Sequence, residues 1–96
     1  SQMLLLGRKT AIERIASFFL TLSDRNDEHD EDPTKLYVPM TRSDMADYLG
    51  LTTETVSRTI GRLKGAGVIQ LLDQNSIKIK DLDMLCDYAE DEAGSW

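Results

Sequence analysis

The sequence predicts a small, mostly α-helical domain with a short β-hairpin. Hydrophobic residues recur at helical spacing in four separate stretches, two strand-like stretches lie close together after residue 67, and glycine-rich or polar turns separate these segments. A chain of 96 residues has room for one packed core. The predicted order of elements is helix, strand, helix, helix, hairpin, helix. This order is that of a winged helix-turn-helix.

The first helix is predicted to begin after Thr10. Thr10 and Glu13 have the spacing of a capping box, in which each side chain bonds the backbone N–H of the other residue. The apolar stripe that follows consists of Ile12, Ile15, Phe19 and Leu22. Because the periodicity stops there, we expect the helix to end near Ser23.

A polar loop is predicted over residues 26–34, followed by a short strand at Leu36–Val38. Thr41 and Asp44 then have the spacing of a second capping box. We expect the helix that they open to end at Gly50, because glycine adopts the left-handed backbone conformation that commonly ends a helix.

The next helix is predicted to begin after Thr52, a capping residue, and to end at Gly65. Its buried stripe consists of Val56, Ile60 and Leu63. The segments Val68–Leu72 and Ser76–Lys80 read as the two strands of the hairpin. Asp81 is expected to cap a last short helix.

The net charge of −6 conceals a basic middle of the chain. Residues 24–32 carry six acidic side chains and one arginine, a net charge of −5, and residues 81–92 carry six acidic side chains and no basic one, a net charge of −6. The remaining residues therefore carry +5. Because the local field steers a polyanion more than the total charge does, the acidic total does not exclude nucleic acid as a partner.

The two helices joined by Gly50–Thr52 fit a helix-turn-helix, whose second helix enters the major groove. Burial of the apolar stripe leaves Glu54, Ser57, Arg58 and Gly61 on the outward face. Arg58 can donate two hydrogen bonds to guanine, Glu54 can accept one from the cytosine amine, and Ser57 is small enough for close approach. The alternative is that Glu54 and Arg58 form only a solvated ion pair, worth about a few tenths of a kcal/mol.

Residues 49–63, LGLTTETVSRTIGRL, resemble the helix-turn-helix of the Crp/Fnr superfamily of bacterial transcription regulators. Glu54-x-x-Ser57-Arg58 is similar to the base-reading triad of its Fnr and FixK branch. The cyclic-AMP receptor branch has an arginine before the glutamate and a glycine in place of the serine, where this chain has Thr53 and Ser57. The segment 6–11 is similar to the junction that follows the dimerisation helix of FixK-type proteins. The resemblance runs from about Met3 to Lys80.

This resemblance implies a sequence-specific DNA-binding domain whose recognition helix spans about residues 53–64. Such proteins bind, as two-fold dimers, a palindrome with half-sites of the TTGA type. By carry-over, Glu54 and Arg58 would read the C·G pair and Ser57 would contact a neighbouring thymine.

The resemblance also implies a division of the chain and a set of partners. Residues 1–8 would be the end of a dimerisation or hinge helix, and residues 9–96 would be the winged helix-turn-helix, with the sensor domain absent from this chain. The full-length protein would be a homodimer that also contacts RNA polymerase, whereas the isolated domain is expected to be monomeric. No cofactor and no enzymatic activity are implied.

Contacts to the DNA backbone are predicted from position, because hydroxyls and free N–H groups near helix N-termini suit phosphate oxygens. The predicted backbone-contacting residues are Thr41, Arg42, Ser43, Thr52, Thr53, Thr55, Arg62 and Lys78. Simple helix capping explains the threonines equally well. For Lys78 and Lys80 a solvated strand face is the favoured interpretation.

Several other kinds of site are excluded or disfavoured. The single cysteine, Cys86, excludes an internal disulfide and a zinc site of paired cysteines, and it favours the cytoplasm. The acidic stretch from Asp24 lacks the glycine and glutamate of a calcium loop, since His29 and Lys35 stand there. His29 has no nucleophile context for a catalytic triad. Cys86 is better explained as a small apolar residue than as a redox-sensitive thiol.

The alternative function from another class is a winged-helix protein-interaction module. Such a module accounts for the acidic total charge, but it requires an exposed apolar patch in place of a polar reading face. A winged helix embedded in a nuclease or helicase has no catalytic carboxylate cluster or P-loop to support it. The chain is therefore predicted to bind double-stranded DNA.

Overall fold

The computed structural model describes residues 10–90, which fold into four helices and a three-stranded antiparallel sheet. The helices are α1 (Ala11–Glu28), α2 (Arg42–Leu49), α3 (Thr53–Gly65) and α4 (Leu82–Glu90). The strands are β1 (Lys35–Tyr37), β2 (Ile69–Leu71) and β3 (Ser76–Ile79). This architecture confirms the predicted winged helix-turn-helix. The expected end of a dimerisation helix, residues 1–8, lies outside the described residues.

The sheet has the strand order β1-β3-β2, so the β2–β3 hairpin gains a third strand. Leu36 of β1 and Leu71 of β2 both lie opposite Ile77 of β3. The N–H of Val38 donates to the carbonyl of Asn75 at 2.6 Å and ties the end of β1 to the hairpin turn. Because side chains alternate along a strand, one face of the sheet is apolar and packs on the helices.

The core lies between the helices and the apolar face of the sheet. Phe19 and Ile15 of α1 are fully buried at its centre, beside Val56 and Leu63 of α3. The rest of the buried apolar set is Ala16, Leu36, Val38, Met45, Ala46, Ile60, Val68, Ile69, Ile77, Ile79, Leu85 and Ala89. Since α3 contributes its predicted stripe to this core, its opposite face points to solvent.

Both predicted capping boxes are present. Thr10 Oγ1 accepts from the Glu13 N–H at 3.3 Å, and the Glu13 carboxylate accepts from the Thr10 N–H at 2.6 Å. The equivalent pair at α2 joins Thr41 and Asp44. Gly50 ends α2 in the left-handed conformation, with φ 71°, as predicted.

The predicted end of the first helix, near Ser23, is wrong, because α1 continues to Glu28. No glycine or proline interrupts this last stretch, and its acidic side chains face solvent, so the helix continues after the apolar stripe stops. Arg25 lies in the last turn, where a positive charge complements the helix dipole. The polar loop therefore begins at His29, three residues later than expected.

Candidate nucleic-acid interface

The outward face of α3 is polar and open. Glu54, Ser57, Arg58 and Gly61 are all exposed, whereas Val56, Ile60 and Leu63 on the opposite face are at most 2% exposed. The amphipathic division predicted from spacing is thus confirmed. Four groups at i, i+3, i+4 and i+7 spacing share one stripe of about two turns.

Glu54 and Arg58 form the ion pair that their spacing predicts. A guanidinium nitrogen of Arg58 donates to Glu54 Oε1 at 2.6 Å. The Arg58 and Glu54 side chains are 70% and 81% exposed, so solvent screens the attraction and the pair adds little stability. The ion pair instead fixes the positions of the two charged groups, because each holds the other over the N-terminal half of α3.

Gly61 has no structural reason within the described residues to be glycine. A Cβ at this position would meet no atom within 4 Å, and the backbone is not in the left-handed region. Glycine in a helix interior costs about 1 kcal/mol relative to alanine. The position therefore carries a cost that the packing of the domain does not explain.

Three of the five hydroxyls at the starts of α2 and α3 are engaged in capping interactions. Thr41 Oγ1 accepts from the Asp44 N–H at 3.0 Å, and Thr52 Oγ1 accepts from the Thr55 N–H at 3.1 Å. The Thr52 hydroxyl also donates to Thr55 Oγ1 at 2.8 Å. The capping interpretation accounts for these three hydroxyls, while the two remaining hydroxyl residues, Ser43 and Thr53, are exposed.

A cleft of 330 Å³ lies where the start of α2 meets the turn between β2 and β3. Thr41 and the half-buried Arg42 line one side, and Gln74 and Asn75 line the other. Sequence reasoning missed Gln74 and Asn75 because they are more than 30 residues from Thr41 and Arg42 along the chain, and the sheet pairing brings them there.

Lys78 is not a freely solvated strand residue. Its Nζ donates to Thr34 Oγ1 at 2.8 Å and lies 3.7 Å from Asp32 Oδ2, so the side chain is half-buried against the polar loop that precedes β1. The Asp32 carboxylate accepts hydrogen bonds from the hydroxyl and the N–H of Thr34. These bonds, together with the nearby charge of Lys78, lower the pKa of Asp32. Arg62 and Lys80 are exposed, and neither is part of an ion pair within residues 10–90.

The other candidate chemistries gain no support from residues 10–90. This range contains no cluster of three or more potential metal ligands, and none of its helices has the length and hydrophobicity needed to cross a membrane. Cys86 is half-buried, and burial, followed by the nearby charges of Glu90 and Asp83, raises the pKa of its thiol. The thiolate that oxidants attack is therefore disfavoured.

Comparison with known proteins agrees with this geometry. Residues 13–88 match the family model described as a Crp-like helix-turn-helix domain. The chain is 43% identical over 95 residues to the transcriptional activator protein FnrL of Cereibacter sphaeroides, and 46% identical over 77 residues to the nitrogen fixation regulation protein FixK of Rhizobium meliloti. These alignments cover 95% and 80% of this chain, but only 38% and 35% of the relatives.

A solved structure shows the same likeness. The structure of FixK2 from Bradyrhizobium japonicum superposes with a TM-score of 0.77 at 40% sequence identity. The match covers 90% of this chain and 41% of FixK2. The chain thus spans about two fifths of the length of such proteins.

Proposed function

Because this chain belongs to the Crp/Fnr family of transcription regulators, on its Fnr/FixK branch, we propose that α3 reads a TTGA-type half-site of a palindromic DNA sequence. The observation that carries the proposal is the exposed Glu54–Arg58 pair, with Ser57 beside it, on the helix that follows the turn. In this proposal Arg58 donates to guanine O6 and N7, and Glu54 accepts from the amine of the paired cytosine. Ser57 contacts a neighbouring thymine.

Backbone contacts complete the proposed interface. Ser43 and Thr53 are exposed at the starts of α2 and α3, where free backbone N–H groups suit phosphate. Arg42, beside the cleft, and Arg62, one turn past Arg58, supply positive charge. Thr41 and Thr55 are also proposed to contact the backbone, because each hydroxyl oxygen accepts a bond near the helix start and its O–H can donate to phosphate. Thr52 is proposed as well, but its O–H must first leave Thr55 Oγ1. Lys78 reaches phosphate only by leaving Thr34 and Asp32.

In the full-length protein we propose that two such domains act as a homodimer in the bacterial cytoplasm and that the regulator also contacts RNA polymerase. Two half-sites are then bound at high effective concentration. We expect the isolated chain to be monomeric. Because a single domain lacks this advantage, it should bind the palindrome more weakly than the dimer does.

The first test is fluorescence anisotropy with a TTGAT-N4-ATCAA duplex and a scrambled duplex of the same composition, each at low and physiological salt. We expect the chain to prefer the palindrome and to keep that preference at the higher salt, because base contacts depend less on counterion release than phosphate contacts do. Equal and steeply salt-dependent binding to both duplexes would contradict base readout.

Absence of binding would be followed by fusion of a dimerising coiled coil before Ser1. If the fused dimer also fails to bind, the second candidate function, a protein-interaction module, becomes the better explanation. One observation favours that candidate: a 560 Å³ groove between α1 and α2, lined in part by Phe18, Leu22 and the 69% exposed Tyr48.

Gly61 provides a prediction in which stability and binding change in opposite directions. Gly61→Ala is expected to raise the free energy of unfolding by about 1 kcal/mol, because alanine is the better helix former and the added methyl group meets nothing. It is expected to weaken binding to the palindrome several-fold, because the methyl group stands on the face that approaches the base pairs. Urea unfolding and anisotropy measure the two effects.

Gly65→Ala is the matched control. Gly65 is also an exposed α3 glycine whose added Cβ would meet nothing within 4 Å, but it lies at the end of the helix away from the reading residues. We expect it to stabilise the domain to a smaller extent and to leave DNA affinity unchanged. Unchanged affinity in Gly61→Ala would show that DNA does not approach this position closely.

A further inference from the structure

The turn between α2 and α3 is held by a side chain from a different helix. One guanidinium nitrogen of Arg14, in α1, donates to the carbonyl oxygens of Leu49 at 3.0 Å and of Gly50 at 3.3 Å. Leu49 is the last residue of α2, and Gly50 is the first of the three residues that connect α2 to α3. Arg14, 35 positions before Leu49 in the chain, thus contacts the beginning of the turn that leads into α3.

The end of α2 needs such a partner. The last carbonyls of a helix receive no hydrogen bond from an N–H group of that helix, and they lie at the negative end of the helix dipole. Here the N–H groups of Gly50 and Leu51 both donate to the carbonyl of Ala46, and α2 has no basic residue in its last turn. Arg14 supplies both the missing donor and the missing positive charge.

The backbone of α1 at Arg14 is held in place by the buried residues on either side of it. These neighbours, Glu13 and Ile15, are 1% and 0% exposed, so the backbone that carries Arg14 cannot shift without disturbing the core. At the other end the fit is close, since a Cβ on Gly50 would lie 3.3 Å from the guanidinium nitrogen. Thr52, two residues after Gly50, is the N-cap of α3. Through this contact α1 helps to set the orientation of α3 relative to the rest of the domain.

We infer that Arg14 is a positioning residue for base recognition. It holds the Gly50–Thr52 turn so that α3 presents Glu54 and Arg58 at the angle that a base pair requires. This inference rests on the proposed function, because only sequence-specific binding makes that angle matter. It assigns Arg14 no contact with DNA.

The test compares Arg14→Met, Arg14→Lys and Arg25→Met with the unmodified chain. Arg25 is the matched control, because it is an exposed arginine on the same helix that lines the same groove beside α2. Each protein is titrated by anisotropy with the palindromic and the scrambled duplex at several salt concentrations. All titrations are run at a temperature where far-UV circular dichroism shows every variant to be folded.

We expect Arg14→Met to lower the ratio of palindrome to scrambled affinity by about tenfold, which is the size of one good base contact. The slope of affinity against salt concentration should stay unchanged, since no phosphate contact is lost. Arg14→Lys should recover part of the ratio, because an ammonium group can still donate to one of the two carbonyls. Arg25→Met should retain the full ratio.

Two results would overturn the inference. An unchanged ratio in Arg14→Met, with only a lower melting temperature, would make Arg14 a helix cap and nothing more. A salt slope reduced by about one would make it a phosphate contact.

Failure of the proposed function is distinguishable from both results, because the unmodified chain itself would then show no preference for the palindrome. In that case the positioning role of Arg14 would be refuted as well. Amide chemical shifts of Gly50, Leu51 and Thr52, measured without DNA, add an independent check. If Arg14→Met leaves them unchanged, Arg14 does not hold the turn.

Discussion

Replacing Arg58 with alanine is expected to weaken binding to the palindromic duplex by about 1–3 kcal/mol, or roughly five- to 150-fold. The guanidinium is 70% exposed and bonded only to Glu54 among residues 10–90, so its removal leaves the fold intact. The loss should be confined to duplexes that carry the guanine of the TTGA half-site. Affinity for duplexes altered at that base pair should change little, so specificity relaxes at one position.

Arg62→Ala is the control for this prediction. Arg62 is an exposed arginine one turn further along α3, and it is proposed above to contact the DNA backbone. Its loss should weaken binding to all duplexes equally and lower the salt slope by about one. If Arg58→Ala follows this pattern instead, Arg58 contacts phosphate. If it binds the palindrome as tightly as the unmodified chain, the assignment of Arg58 is wrong.

Replacing Phe19 with alanine is expected to lower the free energy of unfolding by about 3–5 kcal/mol. Phe19 is fully buried at the centre of the core, and its removal leaves a cavity that neighbouring side chains cannot fill without moving. The total stability of a small domain is about 5–15 kcal/mol, so this variant should be close to unfolding at room temperature. Urea titration followed by far-UV circular dichroism measures the difference.

Phe18→Ala is the matched comparison, because the two phenylalanines are adjacent in α1. Phe18 is only half-buried, and its ring contacts the exposed Tyr48 with centroids 5.7 Å apart. Its loss should cost about 1 kcal/mol. Equal costs for the two variants would show that the core is not organised around Phe19.

The parts of the fold that sequence reasoning predicted are those encoded by neighbouring residues. The two capping boxes, the end of α2 at Gly50 and the Glu54–Arg58 pair each join residues at most four positions apart, or depend on one residue's own backbone preference. Such patterns act through the geometry of a single helix. They therefore hold once the helix forms.

The parts that could not be predicted depend on contacts between distant segments. Arg14 bonds carbonyls 35 and 36 residues away, and Lys78 bonds Thr34 across 44 residues. An isolated arginine or lysine gives no sequence signal that distinguishes these bonds from solvent exposure. The late end of α1 was missed for a different reason, because a polar continuation of a helix shows no hydrophobic period.

The ion pair on α3 has a consequence for how the domain searches DNA. A phosphate can accept from Arg58, but it brings negative charge up to the Glu54 carboxylate, which is 2.6 Å from the arginine in the free domain. In a G·C pair the guanine O6 and N7 accept from an arginine, and the cytosine amine donates to a glutamate. Contact with the sugar–phosphate chain alone is thus penalised, while the G·C pair of the proposed half-site would satisfy both head groups. We therefore expect the pair to shorten the residence time of the domain on DNA of the wrong sequence.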